Sequence, residues 1–125
     1  MIIAIDFDGT IVEHDYPRIG IANPGAREVM RDLVNKGHQI ILFTMRSGDK
    51  LQEAVNYIQN ELFIPLYGVN ENPTQKEWTL SPKAYAHVYI DDAALGCPMR
   101  EAEVVNRPMV DWEGVRKHLT ERGVI

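Results

Sequence analysis

The chain is predicted to fold as a doubly wound α/β domain, a mainly parallel sheet between helical layers, on three observations. Ile-rich runs of strand length end abruptly in polar residues, apolar residues at helical spacing fill the intervals, and acidic and hydroxyl side chains collect just after the strands. The first run, Ile2-Ile3-Ala4-Ile5 ending at Asp6, has the pattern of a strand buried on both faces. Asn23 and Pro24 then offer an N-cap and a first helical proline, and Ala26, Val29, Met30, Leu33 and Val34 recur at helical spacing until Gly37. Residues 39–43, ending at Thr44, form a second buried run. Leu51, Ala54, Val55, Ile58 and Leu62 share one helical face, and a short strand over 65–69 follows, placed at an edge by Pro65. After a polar connection containing Asn70, Asn72 and Pro73, residues 86–90 make a fourth strand ending at Asp91-Asp92. A short strand around Val104 and Val105 is weakly signalled. The tail 111–122, with Trp112, Val115 and Leu119 on one side and Gly123 as its stop, reads as a closing helix.

At 125 residues, 45% apolar and 25% charged, the chain has the size and composition of one globular domain covering 1–125. The lone Cys97 cannot form an internal disulfide, which points to a reducing compartment and gives no sign of a zinc cluster. The apolar N-terminal stretch is too short for a signal segment, and no run approaches the roughly 20 residues that span a bilayer. The expectation is a cytoplasmic protein without a membrane partner. A net charge of −5 and a pI near 5.3 disfavour a general nucleic-acid surface. Any phosphate site must therefore build its positive field locally.

Asp6-Phe7-Asp8-Gly9-Thr10 sets two carboxylates two positions apart at a strand end, where alternate side chains point the same way. Gly9 permits a sharp turn, and Thr10 can hydrogen-bond the loop back on itself. Alone, such an acidic turn does no more than solvate the end of a sheet. The other strand ends add Thr44, a lysine before the fourth strand, and Asp91 with Asp92. In this order, Asp-x-Asp-Gly-Thr, then Thr44, then a lysine, then Ile90-Asp91-Asp92, the chain resembles the haloacid dehalogenase superfamily from Asp6 to Asp92.

That resemblance implies a Rossmann-like three-layer α/β/α sandwich and a Mg²⁺-dependent phosphatase. Asp6 would be the nucleophile that carries an aspartyl-phosphate, Asp8 the general acid and base, and Thr44 the hydroxyl holding the phosphate. The metal would be bound by Asp6, Asp8 through its backbone carbonyl, and Asp91, with Asp92 one step removed, steadying the metal's waters or the lysine. Two lysines compete for the phosphate-facing position. Lys83, in Ser81-Pro82-Lys83-Ala84-Tyr85-Ala86-His87-Val88-Tyr89-Ile90-Asp91-Asp92, resembles the lysine of small phosphatases of capsule and polysaccharide biosynthesis, although there a proline follows the lysine and here Pro82 precedes it. Lys76 lies in the polar connection. The chemistry asks for these residue types independently: a carboxylate attacking a phosphate dianion meets like-charge repulsion, which a divalent cation, a lysine and a hydroxyl relieve. Hard oxygen ligands without a cysteine or histidine cluster suit magnesium.

Met45 offers a backbone N–H to the phosphate. Arg46 has two readings, a contact to a second anionic or hydroxyl group of the substrate or a solvated loop arginine. His14 and Asp15, after the nucleophile loop, either line the mouth or serve as loop solvation, and solvation is the expectation; His87 reads as packing, and Trp78 and Tyr67 as buried aromatics rather than platforms for a sugar or base. Neither gap between motifs has room for a cap domain, so the resemblance is to the capless branch, whose members act on bulky substrates or cover the site with a neighbouring subunit in a homo-oligomer. Residues 12–21 are expected to be a mobile flap over the mouth. The substrate class expected is a phosphosugar or other small phosphorylated metabolite. The rivals are a nucleotide or nucleic-acid-end phosphatase, a receiver-like phosphoacceptor, and a non-catalytic phosphometabolite-binding protein.

Overall fold

The apolar runs pair as a parallel sheet in the computed structural model, which describes residues 1–125. β1 (Ile2–Ile5) lies beside β2 (Gln39–Leu42), with Ile2 opposite Gln39 and Ile5 opposite Leu42. β3 (Gly68–Val69) pairs with the outer side of β2, and β4 (Val88–Ile90) with the free side of β1, all parallel. The order β3-β2-β1-β4 makes the chain reverse its march across the sheet between β1 and β4. Loops diverge at such a switch point and open a crevice at the strands' carboxyl ends. This is the α/β fold the sequence predicts, with helices flanking the sheet and no inserted cap.

Ile3 and Ile5 of β1 and Ile40 and Leu42 of β2 enter the main apolar cluster, while Ala4 and Ile41 point the other way and are equally buried. α1 (Ala26–Asn35) adds Ala26, Val29, Met30 and Leu33, spaced to make one stripe. α2 (Gly48–Asn56) runs into a π-helical turn, Tyr57–Glu61, and together they bury Ala54 and Ile58, with Leu62 just beyond. The carbonyls left open at that end are taken by α1: Arg31 donates to the Leu62 and Phe63 oxygens at 3.0 and 2.8 Å. α3 (Trp112–Glu121) closes the cluster with Trp112, Val115 and Leu119, starts on the Asp111 carboxylate, which accepts from the Glu113 N–H, and ends before Gly123 at φ 72°. No helix is long and apolar enough to cross a membrane.

Several expectations need correction. Asn23 is not the α1 cap, a place taken by Gly25 at φ 87°; the buried Asn23 amide donates instead to the Thr10 and Val110 carbonyls at 2.8 and 2.7 Å. The strand expected over 65–69 shrinks to Gly68–Val69, because Pro65 has no N–H and the chain turns so tightly after Gly68 that a Cβ there would strike the Glu71 carbonyl. The fourth strand begins at Val88 rather than 86, since the Ala86 N–H goes to the Tyr89 hydroxyl. No strand forms at Val104 and Val105. A short antiparallel pair, β5 (Met99–Arg100) with β6 (Met109–Val110), flanks that segment instead.

Candidate functional site

β1 delivers Asp6 to the switch point with its backbone still locked, its N–H donating to the Ile90 carbonyl at 3.0 Å. The chain then turns at once: the Thr10, Ile11 and Val12 N–H groups all converge on the Phe7 carbonyl. Gly9 sits at φ 78°, and a Cβ there would collide with the His14 imidazole and crowd Asp92 Oδ2 at 2.7 Å. Only glycine serves this turn. The fully buried Thr10 hydroxyl donates to Asp6 Oδ2 at 2.9 Å and accepts from the Asp92 N–H at 3.2 Å. It thus ties the loop after β1 to the loop after β4.

Carboxylate oxygens of Asp6, Asp91 and Asp92 lie within 4.8 Å of one another. Desolvation first, then the Asp92 carboxyl against it and the charge of Asp91, push Asp6 up to about 8. Asp91 is raised too, chiefly by burial. No lysine or arginine pairs with any of the three; the one partner is His14, whose Nε2 lies 2.9 Å from Asp92 Oδ2 with both side chains largely buried. His14 is therefore part of the site and not loop solvation. Asp92, expected one step removed from the metal, brings a carboxylate oxygen within the same 4.8 Å as those of Asp6 and Asp91, a group that could hold a metal ion. The Asp8 carboxylate stands outside it, and the Asp8 carbonyl accepts no backbone hydrogen bond.

Arg46 differs from both of its sequence readings. Its side chain is 1% exposed and grips Asp8 through two bonds of 2.8 Å, Nε to Oδ2 and Nη2 to Oδ1. Nη2 also donates to the Arg18 carbonyl at 2.7 Å, and Nη1 to the Pro17 and Lys50 carbonyls at 3.3 and 3.4 Å. All five donors are spent within the fold, so Arg46 has none left for a substrate. Its hydrogen bonds to Asp8 hold it protonated beyond the ordinary arginine range. The same bonds pin the segment expected to be a mobile flap. Val12 pairs with Ala22 at its base, Glu13 N–H donates to the Ile21 carbonyl, and the guanidinium holds the Pro17 and Arg18 carbonyls.

Thr44 follows β2, and Asn70, in a left-handed conformation at φ 55° after β3, accepts its N–H at 2.7 Å. The Thr44 hydroxyl accepts the Arg46 N–H at 3.1 Å. Met45 is 96% exposed, and its N–H makes no backbone bond. A cavity of about 410 Å³ contains Asp6, Asp8, Asp91, Asp92, Thr44 and Met45 in its wall. Neither lysine lines it. Lys83 is exposed and unpaired, with Nζ 5.6 Å from the Tyr89 ring centre, and Tyr89 walls an adjoining hollow shared with Asp6, Phe43 and Asp91. Lys76 stands exposed on a 3₁₀ turn, Gln75–Glu77. His87, expected to pack, is exposed just before β4 and accepts the Ile2 N–H at 2.9 Å, and Trp78 is 61% exposed and not buried. Sequence reasoning missed Asn70, Glu13 and Arg107 of this neighbourhood. Only Asn70 carried a signal, an Asn two positions after a strand glycine.

Sheet order and site together define a doubly wound α/β protein with a carboxylate-rich crevice at its switch point. The solved structure of a conserved protein from Bacteroides thetaiotaomicron is similar to this chain at 34% identity, over 98% of this chain and 91% of that one, with a TM-score of 0.80. The chain belongs to the family of that protein. A scan against protein-family models and a search of curated proteins return no match.

Proposed function

We propose that this protein is a magnesium-dependent phosphomonoester hydrolase of the haloacid dehalogenase type, acting on a phosphosugar or other small phosphorylated metabolite through an aspartyl-phosphate on Asp6. The observation that carries this reading is the convergence of Asp6, Asp91 and Asp92 at one point of the switch crevice without a paired lysine or arginine. An Asp6 carboxyl pushed up to about 8 marks a site short of positive charge, and its hard oxygen donors fit Mg²⁺. Asp6, Asp91, Asp92 and the Asp8 carbonyl would hold the ion, which when bound supplies the charge that lets a carboxylate approach a phosphate dianion.

The chain's own groups account for the rest. The Thr10 hydroxyl fixes the Asp6 carboxylate, one oxygen of which attacks phosphorus as the bond to the leaving alcohol breaks. Asp8, 18% exposed, retains a lone pair on each oxygen despite Arg46; in its acid form it gives the leaving oxygen a proton, then takes one from the water that cleaves the acyl phosphate. The Thr44 hydroxyl and the Met45 N–H receive the transferring oxygens, and Lys83 swings in from Tyr89 to neutralise them. Against a receiver-type phosphoacceptor, the end of β3 carries Asn70, already committed to Thr44.

The test is p-nitrophenyl phosphate turnover with Mg²⁺ and with excess EDTA, together with borohydride trapping of the acyl phosphate. Catalytic, Mg²⁺-dependent release is expected, lost along with the trapped adduct in Asp6→Asn. Full activity in EDTA would overturn the reading, and stoichiometric release would favour the receiver.

A further inference from the structure

The carboxylate end of the cavity is its floor. Its rim is formed by Tyr16, 63% exposed, Met45, 96% exposed, and the exposed Arg107. Since Arg46 has every donor engaged and neither lysine lines the cavity, Arg107 is the arginine of this wall with donors to spare; it takes part in no ion pair. A rim cation lies where the part of a substrate that is not transferred must sit.

The loop that bears it, residues 101–108, has no regular structure between β5 and β6. A buried side chain holds it. Glu13, 1% exposed, accepts the Val104 and Val105 N–H groups on Oε1 at 3.1 and 3.4 Å, while its Oε2 is buried without a hydrogen-bond partner. Burying a carboxylate with one oxygen unpaired costs stability. What it secures is a defined path for a strandless loop. Gly20 permits the arrangement, because a Cβ there would strike the Glu13 carbonyl.

We propose that Arg107 is a specificity-determining residue that pairs with a second anionic group, a carboxylate or phosphate, at the far end of the substrate, and that Glu13 is the positioning residue that holds the Arg107 loop at the mouth. The planar guanidinium matches either anion through two parallel hydrogen bonds. This inference rests on the phosphatase reading and narrows its substrates to phosphomonoesters with a negatively charged tail.

The experiment is calorimetric binding in Mg²⁺ of phosphonoacetate, 3-phosphonopropionate and 4-phosphonobutyrate against alkylphosphonates of matching length, none of which can turn over. At the best length, wild type is expected to bind the carboxylated member about tenfold more tightly, the size of one charge-assisted contact. Arg107→Ala should erase that advantage without changing alkylphosphonate affinity, and Arg107→Lys should restore part of it. Glu13→Ala should copy Arg107→Ala, and Glu13→Gln, which keeps an acceptor, should rescue it. If Glu13→Ala does not fold, Val104→Pro deletes a tethering N–H at an exposed position and reads the same step. Absence of preference in wild type, or its survival in Arg107→Ala, overturns the assignment of Arg107 and leaves the phosphatase reading standing. Equal losses on both ligand series would put Arg107 at the transferring phosphate and overturn it too. Preference intact in Glu13→Ala or Val104→Pro removes Glu13 from the account. If no phosphonate binds wild type, the phosphatase reading itself fails.

Discussion

Asp6 and Asp8 are two positions apart and live in opposite surroundings. Asp6 faces carboxylates, and Asp8 faces a guanidinium. For Asp6 the consequence is a pH-dependent stability. A carboxyl raised from its ordinary value near 3.8 to about 8 binds more protons in the folded chain than in the unfolded one across that interval. Metal-free stability should therefore fall as pH rises from about 4 to about 8 and change little from this group beyond. Mg²⁺ competes with the proton, so the rise in Tm on adding it should be larger at pH 8 than at pH 6. Thermal melts in Mg²⁺ and in EDTA would check this, and an increment independent of pH would contradict it. For Asp8 the consequence is a structural cost that accompanies the chemical one. Asp8→Asn leaves the Arg46 charge buried without its anion and should cost about 3 kcal/mol in denaturant unfolding. In the surviving folded fraction it should accumulate phosphoenzyme from p-nitrophenyl phosphate, whose leaving group needs no proton, because hydrolysis has lost its base. A variant that hydrolyses alkyl phosphates normally would remove Asp8 from the acid/base role.

At the level of elements, the strands contribute less length than the loops that follow them contribute function. β3 has two residues, yet its successor Asn70 fixes the Thr44 backbone; β5 and β6 are equally short, and between them runs the loop bearing Arg107. α3 is held differently. Its first turn starts on Asp111, away from the carboxylate cluster, so Asp111→Ala should cost about 1 kcal/mol by loss of the N-cap while leaving Mg²⁺ affinity unchanged. Unfolding curves and a metal titration on the same protein measure both quantities. The connector before β4 holds the competing lysines. Removing the lysine that meets the transferring oxygens should lower kcat by about 10²-fold to 10³-fold. Lys83→Ala is expected to do so, because Lys83 already stands over Tyr89 beside the crevice, and Lys76→Ala to be near neutral. The reverse ranking would move the role to the 3₁₀ turn.

Over the whole molecule, one apolar cluster joins β1 and β2 to all three helices and holds the two strand ends of the switch point together. Asp6 meets Asp91 and Asp92 only through the β1–β4 pairing, continued by the Asp6 N–H to the Ile90 carbonyl, and through the Thr10 hydroxyl that spans both loops. The unfolded chain has no such convergence. This is why metal affinity and folding should be linked, and why Mg²⁺ at a hundredfold excess over its Kd would add about 2.7 kcal/mol to stability.

The sequence by itself determined the strand and helix order, because apolar runs and helical spacing are local patterns. It also determined which strand ends bear Asp6, Asp8, Thr44, Asp91 and Asp92, since each lies within three residues of the end of such a run. Only the tertiary structure decided what those groups face. Arg46 read as a substrate contact or a solvated loop arginine because, the Lys50 carbonyl apart, its acceptors come from Asp8, Pro17 and Arg18, which no local pattern brings to it. Asn23 read as a helix cap because the partners it actually uses, the Thr10 and Val110 carbonyls, lie on other loops. Glu13 and Arg107 carried no signal and His14 only its place after the nucleophile loop, since each draws its partners from loops that meet only after the sheet has closed. Periodicity encodes burial along one element; hydrogen-bond partners and charge neighbours across the switch point are set by packing between elements, and that is where this site is made.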